Sequence, residues 1–406
     1  MDEVKSSLIR IVGYQLFGGE YPKINADMLD ILNEAKAQTV FTTVFPFLQD
    51  ELIRKNQNEF AIAQEDFFRN VILNTYNFQE HSELHELMES QGIPYVAIKG
   101  LSSAACYPDP SLREMGDVDF LVCEKDSDRA KQAVLSIGFV VDHGDDDKGI
   151  HIAFSREPMS IWEQHRSING IPEGEIGKLI QKEIDSTIET AHKVALDGAV
   201  CRIPDTFHHG LIILLHMISH MTSEGIGLRH LCDWAAFVNS LTNDEFVELY
   251  AEKLKAFGIW KYAQIMTCVS ERYIGIEHKQ WAENTEFDDN LLYGVITDIM
   301  NGGNFGKKDA NRYREIKYIS NRGERTVDNK NVIAQVVRTL NQKVYDENHF
   351  IDKHRYLLPV GWAIEGGKYF GLLITGKRKS NGTSSMLKEA AIRKDIYSRM
   401  ELFDGK

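Results

Sequence analysis

Paired cysteines are missing from this sequence. Its five cysteines are odd in number and widely spaced, with no Cys-x-x-Cys pair among them: Cys106, Cys123, Cys201, Cys232 and Cys268. A disulfide framework or a zinc cage needs cysteines in a regular or close spacing. The pattern therefore predicts reduced thiols, as in a cytosolic protein.

Long apolar runs and an excess of positive charge are also missing. No apolar stretch approaches the roughly 18 residues of a membrane-spanning helix. The first five residues lack the basic start and apolar core of a signal peptide. The net charge of −14 argues against broad electrostatic binding to nucleic acid, which normally needs a basic face. We therefore expect a cytoplasmic protein, and nucleic acid is not an expected partner.

The 406 residues divide by pattern into four parts. This length is enough for two domains of the usual size of about 100–200 residues. Apolar residues at spacings of three and four indicate helices in the first ninety residues and again from about 173 to 280. We predict an N-terminal helical region (1–92), an α/β core (93–170), a helical bundle (171–300) and a mostly helical C-terminal region (301–406).

A strand, a turn and a short helix open the predicted α/β core. Residues 95–98 are a short apolar run typical of a buried strand, and residues 101–106 suit a helix. Glycine in the turn between them lets the backbone approach a phosphate closely, and the first N–H groups of a helix favour an anion. The turn therefore predicts a phosphate-binding loop. The residues predicted to contact phosphate are Lys99, Gly100, Ser102, Ser103 and Arg113.

Two carboxylates on the next predicted strand form the other half of the site. Alternate side chains of a strand point the same way, so Asp117 and Asp119 share a face of the strand 117–122. Adjacent carboxylates repel each other unless a cation lies between them, and Mg²⁺ or Mn²⁺ prefers oxygen ligands. A predicted hairpin (150–154 and 159–163) adds Glu163. Asp117, Asp119 and Glu163 are therefore the predicted metal ligands and catalytic residues.

At these positions the sequence resembles the uncharacterised nucleotidyltransferase family of bacteria. The resemblance covers most of the chain and is most specific from residue 96 to residue 122. It rests on a Lys-Gly loop, a Tyr-Pro step and an arginine before an Asp-hydrophobic-Asp strand, which here are Lys99-Gly100, Tyr107-Pro108, Arg113 and Gly116-Asp117-Val118-Asp119. Elements further along the chain are also similar, namely Glu163-Gln164-His165, His216, His220, Arg229 and Asp233.

The resemblance implies a DNA polymerase β-like nucleotidyltransferase fold. We therefore predict an α+β protein, in which a nucleotidyltransferase-like mixed β-sheet core is flanked by N-terminal helices and a larger C-terminal helical domain. The implied enzyme uses Mg²⁺ or Mn²⁺ to transfer a nucleotidyl group from a nucleoside triphosphate to an acceptor. The acceptor is unknown and stays open between a small molecule and a protein.

Two other functions stay open at this point. The first is a catalytically weak nucleotide- or partner-binding protein of a surface-polysaccharide or peptide-modification pathway. The second is an accessory protein that contacts a membrane surface, because residues 357–362 and 369–374 are apolar and flanked by basic residues. For these two segments we favour the alternative that they cover the helical core.

Several polar residues have a structural interpretation beside a functional one. His216 and His220 lie four apart on one helix face, which is a spacing that can bind zinc. No third ligand is evident, so buried, hydrogen-bonded histidines are favoured. Arg229 and Asp233 are also four apart and predict an internal ion pair. His165, two residues after the last predicted metal ligand, either supports the metal site or makes a structural hydrogen bond.

Overall fold

The computed structural model describes residues 1–142, 149–157, 160–308, 320–321, 324–327 and 382–404. Its helices are α1 (Glu3–Phe17), α2 (Met28–Gln38), α3 (Phe41–Lys55), α4 (Gln57–Ser90), α5 (Gly100–Ala104), α6 (Ser127–Ser136), α7 (Gly174–Thr190), α8 (Thr206–Met221), α9 (Leu228–Asn239), α10 (Asn243–Ala256), α11 (Trp260–Val269), α12 (Asp289–Gly302) and α13 (Gly382–Arg399). Its strands are β1 (Tyr95–Ala97), β2 (Val118–Val122), β3 (Val140–Val141), β4 (His151–Arg156), β5 (Ser160–His165), β6 (His192–Leu196), β7 (Ala199–Ile203), β8 (Ser320–Asn321) and β9 (Glu324–Val327).

A five-stranded mixed sheet forms the centre of the α/β part, and the predicted α+β class is confirmed. The strand order is β1-β2-β5-β4-β3. Strands β2 and β5 run parallel, whereas the other neighbouring strands are antiparallel. Val118, Phe120 and Val122 of β2 enter an apolar core with side chains of α4 and α6. Because side chains alternate along a strand, Asp119 lies on the opposite face.

The long helix α4 positions the loop that leads into β2. The Asn74 amide donates hydrogen bonds to the carbonyls of Ser111 and Arg113, and its Oδ1 accepts from the Met115 N–H, each at 3.0 Å. One turn on, Asn77 donates to the last two carbonyls before β2, each at 3.3 Å. The backbone before the acidic strand is therefore held by two amide side chains of one helix.

The stretch from 192 to 203 corrects the prediction of helix from 173 to 280. It forms the antiparallel hairpin β6–β7, and its two-residue loop is Asp197-Gly198. Both loop residues have positive φ, 50° and 83°, which is the conformation that favours Asp-Gly in tight hairpin turns. Cys201 and Ile203 of β7 pack with side chains of β1 and α5. The prediction was wrong here because it gave no weight to this turn signal.

The main apolar core joins parts of the chain that are far apart in sequence. It contains side chains of α1, α2 and α3 together with those of α8, α9, α11, α12 and the last turns of α13. The helices before the sheet therefore pack against the helices after it. This packing crosses the predicted boundaries at residues 92 and 300, and the four-part division itself stays a prediction.

The C-terminal predictions concern residues that the structure does not describe. The segments 357–362 and 369–374, for which a membrane surface or the helical core was considered, lie outside the described residues. Within the described part of the chain, no helix combines the length and the apolar character needed to cross a membrane.

Candidate active site

An acidic cluster, which we define as Asp117, Asp119 and Glu163, lies on one face of the sheet. Asp119 and Glu163 are register partners on the parallel strands β2 and β5. His165 lies two residues beyond Glu163 and therefore on the same face. The ligand atoms of Asp119, Glu163 and His165 lie within 4.8 Å of one another. Asp117 directly precedes β2 and is half-buried.

Asp119 is the most enclosed member of the cluster, with its side chain 4% exposed. Lys99 Nζ donates to Asp119 Oδ1 at 2.6 Å, and His165 Nε2 lies 2.7 Å from the same oxygen. Burial alone would raise the pKa of Asp119, but the charge of Lys99 and the hydrogen bond from His165 hold it well below its usual value. Asp119 is therefore an ionised carboxylate at neutral pH.

Asp117 carries the least compensated charge of the cluster. Repulsion from Asp119, together with burial and repulsion from Glu163, raises the pKa of Asp117 to about 6. The ammonium of Lys99 opposes this shift, but it is already bonded to Asp119. The negative charge around Asp117 therefore exceeds what Lys99 balances.

The composition of the cluster fits a divalent cation. Three carboxylates face one ammonium, so negative charge remains when all of them are ionised. Carboxylate oxygens are the ligands that Mg²⁺ and Mn²⁺ prefer. His165 is already bonded to Asp119, and a histidine in this position orients a carboxylate ligand. Among the described residues, the ligand atoms of Asp119, Glu163 and His165 lie close enough together to hold a cation, and Asp117 is not part of that group.

In the turn after β1, Lys99 has a strained backbone conformation. This residue has a φ of 58°, which side chains rarely adopt. Gly100 is the first residue of α5, and a Cβ there would meet only ordinary contacts, the nearest atom being the Asp117 carbonyl oxygen at 3.7 Å. Non-glycine residues in such conformations cluster at functional sites. The turn thus holds Lys99 under strain while its side chain bonds Asp119.

The two serines of α5 have different surroundings. Ser102 Oγ donates to the Lys99 carbonyl at 2.8 Å, and the Ser103 N–H donates to the same carbonyl at 2.8 Å. Ser102 is fully buried, and its hydroxyl is used within the turn. Ser103 lines a cleft beside Lys99. Of the two, Ser103 is therefore the serine placed to meet a ligand.

Arg113 is committed to a buried ion pair. Its Nε and Nη2 donate to the two carboxylate oxygens of Asp233, each at 2.8 Å, and the Tyr107 hydroxyl donates to Asp233 Oδ1 at 2.9 Å. The predicted partner of Asp233 was Arg229, one helical turn away. That prediction was wrong, because the loop before β2 brings Arg113 onto α9 and fills both oxygens of the carboxylate.

Three histidines meet at the ends of α8 and α9. The ring centroids of His216 and His220 lie 4.5 Å apart, and those of His216 and His230 lie 5.4 Å apart. The structure thus brings a third imidazole to the pair that the sequence placed on one helix face. The group of ligand atoms within 4.8 Å of one another in the described chain is that of Asp119, Glu163 and His165, and it does not include these rings.

Two residues that hold the backbone beside the site are far from it in the sequence and could not be predicted. Asn74 and Asn77 lie inside α4, and their backbone partners are about forty residues further along the chain. No local pattern marks an asparagine in that role. His165 had a signal, because its spacing of two from Glu163 on a strand predicts a shared face.

The mixed sheet and its acidic face beside a strand–turn–helix unit agree with the predicted nucleotidyltransferase-like fold. Residues 25–275, more than half of the chain, match the model of the uncharacterised nucleotidyltransferase family. The chain belongs to this family, and the resemblance inferred from its motifs is confirmed. The matched range contains every predicted site residue, from Lys99 to Glu163.

Among solved structures, this chain is similar to an antigenic nucleotidyltransferase-like protein from Paracoccidioides brasiliensis. The two share 13% sequence identity, and the match covers 50% of this chain and 94% of that chain, with a TM-score of 0.33. No curated protein matches this chain.

Proposed function

We propose that this protein transfers a nucleotidyl group from a nucleoside triphosphate to an acceptor, with Mg²⁺ or Mn²⁺ held by Asp117, Asp119 and Glu163. The observation that carries the proposal is the register of β2 and β5, which brings Asp119 and Glu163 together beside Lys99. Family membership supports the nucleotidyl chemistry.

The residues of the chain have separate tasks in this reaction. A divalent cation in the acidic cluster would supply Lewis-acid activation of the phosphate and of an acceptor hydroxyl. Lys99 and His165 keep Asp119 ionised and fix its orientation through Oδ1. Glu163 lies beside it on β5, and Asp117 lies at the start of β2. Because these groups are buried or half-buried, their electrostatic interactions are stronger than they would be in water.

One observation favours a second candidate function. Lys99 Nζ is bonded directly to Asp119, so a cation of the protein itself neutralises part of the acidic cluster. A site of this kind is expected to bind a nucleotide and transfer it slowly. The second candidate is therefore a catalytically weak nucleotide- or partner-binding protein of a surface-polysaccharide or peptide-modification pathway.

Thermal unfolding with a panel of nucleoside triphosphates, with and without Mg²⁺, tests the proposal first. A ligand that binds only the folded state raises Tm. At least one triphosphate should raise Tm more with Mg²⁺ than without it, and Asp119→Asn and Glu163→Gln should lose that difference. Transfer of an α-labelled nucleotide to fractions of a cell extract should fall about 100-fold or more in both variants, which corresponds to about 2.7 kcal/mol.

Asp128→Asn is the matched control, because it makes the same chemical change at an exposed position in the first turn of α6. Its Tm shifts and its transfer rate should equal those of the unchanged protein. Mg²⁺-dependent binding without transfer in any fraction would favour the second candidate. Binding and transfer that survive in Asp119→Asn would contradict the metal site.

The acceptor and the location follow from weaker observations. The net charge of −14 favours a small molecule or a protein as acceptor over a long nucleic acid. Cytoplasmic location and contact of the C-terminal segment with a membrane surface stay predictions.

A further inference from the structure

A cleft lined mainly by side chains of the helices that follow the sheet adjoins the acidic cluster at Lys99. We define the basic cleft by the charged and imidazole side chains that line it with Ser103: Lys99, Arg113, His216, Arg229, His230 and Asp233, whose carboxylate is paired with Arg113. Lys99 is common to the cluster and the cleft, since its Nζ is bonded to Asp119 while its side chain lines the cleft. A ligand in the cleft would therefore lie next to a metal in the acidic cluster.

Arg229 is a cation that forms no ion pair with the part of the chain that the structure describes. Its Nη1 donates to the backbone carbonyl of Glu114 at 3.1 Å, and its Nε is buried without a hydrogen-bond partner among the described residues. The carboxylate of Asp233 is paired with Arg113 instead. Burial and the nearby charge of Arg113 lower the pKa of Arg229, although the charges of Asp233 and Asp117 oppose the shift. Arg229 is half-buried, and a guanidinium with little access to water and no ion pair is stabilised when an anion binds to it.

His230 supplies a second donor without an acceptor. This residue is 2% exposed, and its Nδ1 accepts a hydrogen bond from the Gly227 N–H at 3.3 Å. A neutral imidazole whose Nδ1 is an acceptor carries its proton on Nε2. Nε2 is buried and has no hydrogen-bond partner among the residues that the structure describes. The cleft therefore contains a buried N–H that a ligand oxygen would satisfy.

Burial is the main cause of the lowered pKa values of His220 and His230, and nearby cations add to it. Burial and the charge of Arg229 lower the pKa of His230 well below its usual value. For His220, burial and the charges of Lys99 and Arg229 lower the pKa to about 4, although Asp119 and Glu163 oppose the shift. His220 and His230 are therefore neutral imidazoles near positive charges. His220 also interacts with the carboxylates of Asp119 and Glu163.

Phe305 packs against two histidines at the ends of α8 and α9. Its ring lies 4.8 Å from that of His220 and 5.5 Å from that of His230, and its backbone has a φ of 54°. The segment that carries it packs tightly on the start of α9, because a Cβ on Gly227 would lie 2.8 Å from backbone atoms of Asn304. The segment around Phe305 thus fixes the start of α9, which carries Arg229 and His230.

We propose that the basic cleft binds the polyphosphate of the nucleotide substrate, with Arg229 and the Nε2–H of His230 as its donors. The inference rests on the proposed function and names the substrate group that this cleft recognises. A guanidinium matches phosphate oxygens geometrically. A divalent cation is commonly held by carboxylates and substrate phosphates together. Because the acidic cluster and the basic cleft meet at Lys99, one polyphosphate could contact both the metal and the guanidinium.

Binding of tripolyphosphate in the absence of any divalent cation tests this inference. Isothermal titration calorimetry on the full chain should show saturable binding, and Arg229→Gln should weaken it at least tenfold. Arg229→Lys should lie between the two, because it keeps the charge and loses the planar fork. Arg10→Gln, which removes an exposed arginine of α1, is the matched control and should bind as the unchanged protein does.

A folding defect is separated from a binding defect by Tm. Since Arg229 forms no ion pair with the described residues, Arg229→Gln should leave the Tm of the free protein unchanged or higher, while tripolyphosphate should no longer raise it. Equal tripolyphosphate binding by Arg229→Gln and the unchanged protein would overturn the inference, even if Asp119→Asn abolishes transfer. If Arg229→Gln loses tripolyphosphate binding while the unchanged protein shows no metal-dependent transfer, the inference is kept and the proposed function is contradicted.

Discussion

The acidic cluster and the basic cleft lie on opposite sides of Lys99 and are built in different ways. The acidic cluster comes from two neighbouring strands, and Lys99 and His165 compensate part of its charge. The basic cleft comes from helices, and Arg229 has no carboxylate partner among the described residues. Each of the two therefore keeps a surplus of one sign. We infer that a metal–polyphosphate complex, which carries both signs, is complementary to the pair.

The two arginines of the cleft differ in the same way. Arg113 is bonded through two nitrogens to Asp233, whereas Arg229 donates to a backbone carbonyl. The first arrangement braces the loop before β2 against α9. The second leaves a charge available to a ligand. The predictions below change one side of this contrast at a time.

Arg113→Met should produce the largest loss of stability. Breaking a buried ion pair leaves Asp233 without its cation, which costs about 3–5 kcal/mol of unfolding free energy. Arg229→Met removes a charge that forms no ion pair within the described part of the chain, and it should cost little or stabilise the protein. Urea unfolding of both variants measures the difference. Similar losses in the two variants would mean that Arg229 is compensated in the folded protein.

Acidification should weaken the fold by a smaller amount over the first pH unit below 6.5. Burial lowers the pKa of His81 and of His209 from 6.5 to about 4. The unfolded chain therefore binds protons before the folded protein does as the pH falls. The free energy of unfolding is fully retained above pH 6.5 and is lost between pH 6.5 and 4, by at most about 1.4 kcal/mol per pH unit for each histidine.

Urea unfolding at pH 7.5, 6.5, 5.5 and 4.5 measures this loss. His209→Gln should have a shallower pH dependence than the unchanged protein, because one buried histidine no longer has to stay neutral. His278→Gln alters an exposed histidine whose pKa is raised by Glu271 and Glu283, so this control should not make the pH dependence shallower. A stability that is flat from pH 7.5 to 4.5 would contradict the prediction and would mean that these imidazoles charge freely in the folded state.

Gly100→Ala should have the smallest effect on stability. A Cβ at Gly100 meets only ordinary contacts, and alanine is favoured over glycine in a helix, so we expect a change within about 1 kcal/mol. If the backbone at Gly100 approaches a phosphate, nucleotide binding should weaken while Tm stays unchanged. If nucleotide binding is also unchanged, the basic cleft and not the backbone of the turn recognises the phosphate.

The fold was predicted best where local pattern decides it. Alternation in residues 117–122 correctly predicted a strand with its aspartates away from the apolar core. The sequence pattern also predicted the hairpin of β4 and β5 and the short helix after Lys99-Gly100. The hairpin β6–β7 had a turn signal in Asp197-Gly198 that was given no weight. That failure was one of interpretation and not of missing information.

The partners of charged residues were predicted less well. Arg229 and Asp233 are neighbours on a helix surface, which made an ion pair between them the local expectation. The structure pairs Asp233 with Arg113, 120 positions away. Spacing along a helix gives the neighbours that a residue can have, but it contains no information on a competing cation from another element.

The sequence by itself determined the family, the order of strand, turn and acidic strand, and the carboxylates that face one way. These features depend on residues a few positions apart, whose relation is set by the backbone geometry of a strand or a turn. Tertiary structure alone decided that Lys99 bonds Asp119, that Asn74 holds the loop before β2, and that Arg229 forms no ion pair with the residues that the structure describes. Each of these depends on which distant elements meet in the folded chain, because the energy of a charge is set by its surroundings and not by its position in the sequence.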